Sequence, residues 1–194
     1  MLIKEAVVAD REGTWVSESM DALRQSRLTA LTAPQDFGGH GHGMYGLARI
    51  CEELGKGYAS AGLCFGMHCV GTAVIAAKAT DWQKITYLEP IAKGEHLTTL
   101  ALNEPNSGAH FYIPQTALLP LADNIFLING NKTFVPNSGH ADFYVLSTAA
   151  ASDEASTHEF SCVIVDEGTE GMLWGMEWAG HERQLLSHAT LKQC

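Results

Sequence analysis

The stretch Leu97-Thr-Thr-Leu-Ala-Leu102 divides the sequence into two halves with different patterns. Before it, apolar residues recur at helical spacing, as at Leu47, Ile50 and Leu54, which is typical of a helix with one buried face. The stretch itself is rich in apolar and β-branched residues, as strands are. The sequence therefore predicts that a helical N-terminal half gives way to strands at this point.

Strand-like runs continue beyond this stretch, separated by Asn, Gly, Asp and Ser, which favour turns. Three clear runs are Ile125-Phe-Leu-Ile128, Phe143-Tyr-Val-Leu146 and Ser161-Cys-Val-Ile-Val165. Asn129-Gly130 predicts a tight hairpin turn, because a type I′ turn needs positive φ at both central residues. We therefore expect an α+β protein in which an N-terminal helical domain, residues 1–96, precedes an antiparallel β-sandwich or barrel domain, residues 97–194.

The positions of Gly, Pro and potential helix-capping residues predict where the helices and loops of the first half begin and end. The segment from Ala33 to Gly43 contains one Pro and four Gly and predicts a loop; it lacks the GxGxxG spacing of a phosphate-binding loop, so a structural role is favoured. The small residues from Ala59 to Ala79 predict a buried helix. The next helix is expected to be capped by Asp81 and to end near Pro90.

Composition and charge limit the classes of partner. The 194 residues carry 22 acidic and 12 basic side chains, a formal net charge of -10, so nucleic acid is an improbable partner. The five cysteines form no CxxC pair and predict no disulfide framework. We see no unbroken apolar run of the ~18–20 residues that a membrane span needs and no signal peptide at the N-terminus, so we expect a cytoplasmic protein.

Two groups of potential metal ligands occur in the helical half, but neither predicts a metal site. His40 and His42 lie in the glycine-rich loop, and Cys64, His68 and Cys69 lie in the expected buried helix. No second cluster completes a four-ligand site with zinc-finger spacing. Packing and surface roles are therefore favoured, and no metal is expected.

Five blocks of sequence, in order, resemble the acyl-CoA dehydrogenase family. They are Pro34-Gln-Asp-Phe-Gly-Gly-His-Gly41, Glu52-Glu-Leu-Gly55, Gln83-Lys-Ile-Thr-Tyr-Leu-Glu-Pro-Ile-Ala-Lys-Gly-Glu95, Ala101-Leu-Asn-Glu-Pro-Asn-Ser-Gly108 and Asn129-Gly-Asn-Lys-Thr-Phe-Val-Pro-Asn-Ser-Gly139. The resemblance implies a flavoprotein oxidoreductase of fatty acid metabolism. Such an enzyme holds FAD between its β domain and a C-terminal helical domain, and it oxidises the α,β bond of an acyl-CoA or acyl-carrier thioester.

The resemblance also implies which residues would hold the flavin. They belong to two segments, the turn Leu100–Ala109 and the segment Phe134–Pro136, which we expect to fold together into one wall of the flavin pocket. The residues concerned are Leu100, Leu102, Asn103, Gly108, Ala109, Phe134, Val135 and Pro136.

Several positions of these segments depart from the family pattern. Asn103 stands where the family has a hydroxyl residue, and Ala109 stands where it has a serine. Phe134 replaces a tryptophan that packs on the flavin and keeps an aromatic face without the indole N–H. Pro136 replaces a threonine that hydrogen-bonds the hydride-accepting nitrogen, and it has neither a hydroxyl nor a backbone N–H.

No catalytic residue is assigned by the motifs, because the family supplies the carboxylate base from its C-terminal helical domain, which we expect this chain to lack. Two further hypotheses therefore stand beside a working dehydrogenase: a non-catalytic binding or assembly member, and a different flavin reaction such as oxygen-dependent hydroxylation. We expect the chain to form a homo-oligomer or to bind a partner chain that supplies the domain, since apolar surface would otherwise be exposed.

Overall fold

The computed structural model describes residues 2–105, 108–110, 112–122, 125–149, 159–174 and 183–192. Helices fill the first half and strands the second, so the predicted α+β order is confirmed. The helices are α1 (Leu2–Glu12), α2 (Ser17–Gln25), α3 (Met44–Gly57), α4 (Ala59–Lys78) and α5 (Asp81–Lys93), with short 3-10 turns at Leu28–Ala30 and Gln35–Phe37. The strands are β1 (Thr98–Ala101), β2 (Ala117–Ala122), β3 (Ile125–Val135), β4 (Phe143–Ala149), β5 (Phe160–Asp166), β6 (Met172–Trp174) and β7 (Arg183–Lys192).

The described strands form two sheets, one in the order β1-β4-β5 and the other in the order β2-β3-β7-β6. Neither order closes on itself, so the barrel alternative of the prediction is not observed among these strands. All pairings are antiparallel, as expected, except that β1 runs parallel to β4, with Thr98 opposite Phe143. A parallel pair needs a long connection, and here the chain builds β2 and β3 before it returns to β4.

The sheet that contains β1 and β4 is covered on both faces. Leu100 and Val145 pack against the helices in a cluster that includes Ile75 of α4. Ala101 and Leu146, one position further along each strand, pack in a second cluster with residues of β3 and β5. Successive side chains of a strand point to opposite faces, so both faces of β1 and β4 are buried, with an apolar cluster on each side.

Asn129-Gly130 does not form the predicted hairpin turn. Both residues lie inside β3, where Asn129 is opposite Ala117 of β2 and His188 of β7. A Cβ atom at Gly130 would lie 2.4 Å from the Oγ1 of Thr116. The glycine is therefore required by the close approach of the neighbouring chain and not by a turn.

The ends of α5 also differ from the prediction. Thr80, one residue before Asp81, is the N-cap, and its side chain and that of Gln83 form a reciprocal capping box. The helix continues through Pro90 to Lys93 and ends at Gly94, whose φ of 77° is the left-handed conformation that glycine adopts most readily. A local rule on proline thus placed the end of the helix too early.

The long helix α4 occupies the stretch for which the small residues predicted a buried helix, and nine of its residues are buried. With 20 residues, α4 is long and apolar enough to cross a membrane, judged by length and composition alone. Half of its most apolar window is buried inside the structure, and core helices satisfy the same criterion, so this is weak evidence for a membrane span. Phe65 and Ile75 of α4 are fully covered by other parts of the chain.

His68 of α4 joins the two halves of the fold. Its Nδ1 accepts a 3.0 Å hydrogen bond from the backbone N–H of Thr98, and its Nε2 lies 2.9 Å from the carbonyl oxygen of Thr29. The ring is therefore neutral, with its proton on Nε2. Burial lowers the pKa of His68 from 6.5 to about 4, since a charged imidazolium would be desolvated there.

We expect this depressed pKa to make the protein less stable in mild acid. The unfolded chain binds a proton at His68 below about pH 6.5, whereas the native state binds it only near pH 4, so stability is lost as the pH falls between these values. The loss between pH 7 and pH 5 should be about 2 kcal/mol, from the linkage of proton binding to folding. Urea unfolding at both pH values measures it. The variant H68Q should lose this part of the pH dependence, and an unchanged dependence in H68Q would contradict the assignment.

Candidate functional site

The two segments that the resemblance assigns to the flavin lie side by side in the structure. The turn begins at the end of β1, and the second segment lies at the end of β3. The backbone N–H of Thr133 donates a 2.8 Å hydrogen bond to the carbonyl oxygen of Asn103. A 3.4 Å contact also joins the Nζ of Lys132 to the carbonyl oxygen of Leu102. We call the four residues Leu102, Asn103, Phe134 and Pro136 the wall; Pro136 is buried, and the other three are half-buried or exposed.

A buried ion pair, Lys132 with Glu104, lies next to the wall in the chain and contacts the carbonyl oxygen of Leu102. Lys132 donates to the Oε1 of Glu104 at 2.6 Å and to the Oγ of Ser147 on β4 at 2.9 Å, and both charged side chains are almost fully removed from solvent. Burial alone would raise the pKa of Glu104, but hydrogen bonds from Lys132, Thr116 and Gln115 outweigh it and hold that pKa below 4.5. Burial lowers the pKa of Lys132, and the neighbouring Glu104 opposes that shift.

Glu104 also closes the loop that follows β1. Its carboxylate accepts hydrogen bonds from the backbone N–H groups of Gln115 and Thr116 at 2.6 and 3.0 Å, and from the Thr116 hydroxyl at 2.6 Å. The start and the end of this loop are thus held together by one side chain. Gly108 and Ala109 lie on the loop between these two points, and both are exposed.

Sequence reasoning missed both members of the ion pair, although both lie inside the quoted blocks. Lys132 offered a partial signal, because it lies in the fifth block, four residues after the predicted strand Ile125–Ile128, and lysine is almost never fully buried unless it is paired. Its burial, and with it the need for an acidic partner, appears only in the structure. The partner is 28 residues away in the chain, which no local pattern shows.

The eight predicted flavin residues divide into exposed and buried sets. Leu102 is half-buried, whereas Asn103, Gly108, Ala109 and Phe134 are exposed. The side chains of Leu100 and Val135 are committed to the apolar core, so these two residues offer a ligand only their backbone. Pro136 is buried. Their part in flavin binding stays a prediction.

Phe134 combines exposure with an unusual backbone conformation. Its φ is 53°, in the left-handed region that bulky residues rarely adopt, and the register of β3 shifts between Lys132 and Val135. The side chain is 53% exposed. Such strained conformations persist only where the surrounding fold holds them in place, and they are found most often at functional sites. An exposed aromatic ring held in this way presents a flat apolar face to a ligand.

Asn137 fixes the end of the second segment to the helical half. It is buried with a φ of 61°. Its side-chain amide donates to the carbonyl oxygens of Cys64 on α4 at 2.9 Å and Thr98 on β1 at 3.4 Å, while its Oδ1 accepts from the indole N–H of Trp15 at 3.3 Å. The residue that follows Pro136 is therefore held by hydrogen bonds to both the helical half and β1.

The residues of the wall fit the chemistry of a flavin ring in two respects and depart from it in one. Phe134 offers an aromatic face for stacking. The turn after β1 offers backbone and the Asn103 amide at an exposed edge. Pro136 offers no hydrogen-bond donor.

The glycine-rich loop and the histidine of α4, the other candidate motifs, make hydrogen bonds to backbone groups of the fold. In the glycine-rich loop, the backbone N–H groups of His40, Gly41 and His42 donate to the carbonyl oxygens of Ala30, Ala33 and Leu31. Both ring nitrogens of His68 are occupied by backbone groups. In the part of the chain that the structure describes, no three His, Cys, Asp or Glu side chains converge in a way that could hold a metal ion.

Comparison with family models shows two matches that together cover almost the whole chain. Residues 2–95 match the model described as "Acyl-CoA dehydrogenase, N-terminal domain". Residues 99–194 match the model described as "Acyl-CoA dehydrogenase, middle domain". The two matches meet close to the point where the helices give way to β1.

Individual relatives agree with these models. The chain is 30% identical over 167 residues to an acryloyl-CoA reductase (NADH) from Anaerotignum propionicum, a match that covers 86% of this chain and 42% of the relative. It is 29% identical over 171 residues to a short-chain specific acyl-CoA dehydrogenase from Clostridium acetobutylicum, which covers 88% of this chain and 45% of that relative.

A solved structure shares the fold. The butyryl-CoA dehydrogenase from Megasphaera elsdenii superposes with a TM-score of 0.84 at 24% identity, over 98% of this chain and 52% of that one. This chain thus spans about half of that structure and less than half of each of the two curated relatives. By the two model matches, it belongs to the acyl-CoA dehydrogenase family.

Proposed function

We propose that this chain supplies the N-terminal and middle parts of an FAD-dependent oxidoreductase that acts on an acyl thioester, either acyl-CoA or an acyl-carrier thioester, in the cytoplasm. The observation that carries the proposal is the contact between the two halves of the wall, the 2.8 Å hydrogen bond from Thr133 to Asn103 beside the exposed ring of Phe134. A solved relative in the same fold, an acyl-CoA dehydrogenase from Bacillus anthracis, is described as complexed with FAD.

In this proposal FAD supplies the acceptor for the hydride that leaves the β carbon of the thioester. The residues of this chain would bind and orient it: Phe134 would offer its ring for stacking, and the turn after β1 would offer its backbone and the Asn103 amide as hydrogen-bonding groups. The α proton must pass to a carboxylate base. Glu104 is unsuited to this task because its carboxylate already accepts hydrogen bonds from Lys132, Gln115 and Thr116. We propose that the base comes from a part of the family fold outside these residues, in the same or a partner chain.

The test is anaerobic reduction of the bound flavin. Purified protein loaded with FAD is mixed with saturated acyl-CoA thioesters of increasing chain length, and the visible absorbance of the oxidised flavin is followed. Loss of this absorbance with at least one thioester is expected when the base is present. If FAD binds but no thioester bleaches it, even with the partner chain added, the dehydrogenase proposal is overturned.

A non-catalytic member of the family is the second candidate, and Pro136 favours it. This residue has no N–H or hydroxyl to offer to the flavin, at a position where the family pattern has a threonine. In this case the chain would bind FAD weakly, or would use the same fold only for assembly.

The variant P136T should strengthen FAD binding by up to about tenfold, the value of one added hydrogen bond. Fluorescence quenching of FAD by the protein measures the dissociation constant. P136A is the matched control, because it restores the backbone N–H without the hydroxyl. Equal affinities for wild type, P136A and P136T would show that position 136 does not face the flavin.

A further inference from the structure

We propose that Lys132 is a positioning residue of the flavin site: its buried ammonium group fixes the backbone of Leu102–Glu104, through which the wall would contact the isoalloxazine ring. This inference rests on the FAD binding proposed above and assigns it a residue that does not itself touch the cofactor. It follows from the hydrogen bonds around the ammonium group and from the cost of burying a charge there.

Three consecutive residues of the turn are anchored to two neighbouring residues of β3. The carbonyl oxygen of Leu102 lies 3.4 Å from the Nζ of Lys132, and the carboxylate of Glu104 lies 2.6 Å from it. Between them, the carbonyl oxygen of Asn103 accepts the 2.8 Å hydrogen bond from Thr133. The path of the turn is therefore set by the side chain of Lys132 together with the backbone of β3.

The ammonium group has as many donors as it has partners. Lysine carries three N–H donors and no acceptor, and here the partners are Leu102, Glu104 and Ser147. These three belong to the turn and to β4, while Lys132 belongs to β3. One nitrogen atom thus joins three separate parts of the chain through hydrogen bonds to the residues on either side of Asn103 and to Ser147.

A buried ion pair is a costly way to gain stability, which argues for a role in geometry. Desolvation of the two charges offsets most of their attraction, and packed apolar side chains of similar volume often stabilise a fold equally well. Apolar side chains could not, however, hold the Leu102 carbonyl oxygen in one place. The pair therefore contributes a defined backbone position more than it contributes net free energy.

The same anchor reaches the other end of the loop. Glu104, held by Lys132, accepts hydrogen bonds from the backbone of Gln115 and Thr116, where the loop enters β2. Gly108 and Ala109, the remaining predicted flavin residues, lie on the loop between these points. Lys132 is thus linked, through Glu104, to both ends of the loop that carries these two residues.

The test compares FAD affinity in the wild-type protein, in K132M, in the double variant E104Q/K132M and in K78M. The double variant removes both charges together, so that no unpaired charge is buried, and the one carbonyl oxygen of its glutamine can still accept from Thr116, while the hydrogen bond from Gln115 is lost. K78M makes the same substitution at an exposed lysine at the end of α4 and serves as the control. Fluorescence quenching gives the dissociation constants, and urea unfolding reports stability independently.

If Lys132 positions the turn, E104Q/K132M should bind FAD at least about tenfold more weakly than wild type, although it should be more stable than K132M. The visible bands of any flavin that it binds should be shifted relative to wild type, and K132R, which keeps donors and charge, should recover part of the affinity. K78M should match wild type. A purely structural role would leave the spectrum of the bound flavin unchanged and would make affinity follow stability.

Other results separate this inference from the proposed function. If wild type binds FAD and the folded double variant binds it equally well, the positioning role is overturned while FAD binding stands. If wild type binds no FAD, both proposals are overturned. Should the lysine variants not fold, S147A removes one acceptor and no charge. Its affinity for FAD should fall a few-fold, and an unchanged affinity would overturn the positioning role.

Discussion

The variant K132M is expected to lower the free energy of unfolding by about 3–5 kcal/mol, the largest effect among the substitutions considered, because it leaves the Glu104 carboxylate buried without its partner. Lys132 has no solvent exposure, and Glu104 is 6% exposed, so little water can replace the missing ammonium group. The carbonyl oxygen of Leu102 and the hydroxyl of Ser147 would lose a donor at the same time. Urea unfolding at pH 7 measures the change.

The double variant E104Q/K132M is the decisive control for this expectation. It removes the unpaired charge that makes K132M costly, so part of the lost stability should return, less the cost of the Gln115 N–H that loses its acceptor. K78M, at an exposed position, should change stability by no more than about 0.5 kcal/mol. A loss of less than about 1 kcal/mol in K132M would show that the ion pair is not buried as described.

The variant G39A should lower the free energy of unfolding by about 3 kcal/mol, at the upper end of the cost of overpacking. An added Cβ atom at Gly39 would lie 2.1 Å from the carbonyl oxygen of Ala33 and 2.5 Å from its carbonyl carbon. These are backbone atoms of a loop that is held by hydrogen bonds from Gly41 to Ala33 and from His42 to Leu31. The loop cannot move away without breaking these bonds.

Gly43 provides a matched control in the same loop. A Cβ atom there would meet nothing within 4 Å, and its φ of -85° suits any residue. Because Gly43 is the N-cap of α3, where glycine is preferred to alanine, G43A should cost no more than about 1 kcal/mol. Equal stabilities of G39A and G43A in urea would contradict the close contact of Gly39 with Ala33.

Local patterns predicted the elements well where packing agrees with them. The change from helices to strands near Leu97 and the buried helix from Ala59 are both present in the structure. The Asn129-Gly130 prediction was wrong because the same dipeptide serves two purposes, a turn in one context and a close contact in another. Only the position of Thr116 beside Gly130 distinguishes them, and that position depends on the fold.

Long-range pairings account for the features of the site that the sequence did not reveal. The parallel pairing of β1 with β4 joins Thr98 to Phe143, and the ion pair joins Glu104 to Lys132. Each depends on how distant segments meet, which neither periodicity nor turn chemistry determines. The family resemblance named the two halves of the wall correctly as neighbours, but it did not indicate what holds them together.

A titration of FAD with the purified protein tests the flavin-binding wall most directly, with F134A as the comparison. Saturable quenching with one FAD per chain is expected, and F134A should bind about tenfold more weakly, because stacking on an aromatic ring contributes roughly 0.5–1.5 kcal/mol beyond the area that it buries. The absence of saturable quenching in wild type, or equal affinity in F134A, would contradict the proposal that Leu102, Asn103, Phe134 and Pro136 form a flavin site.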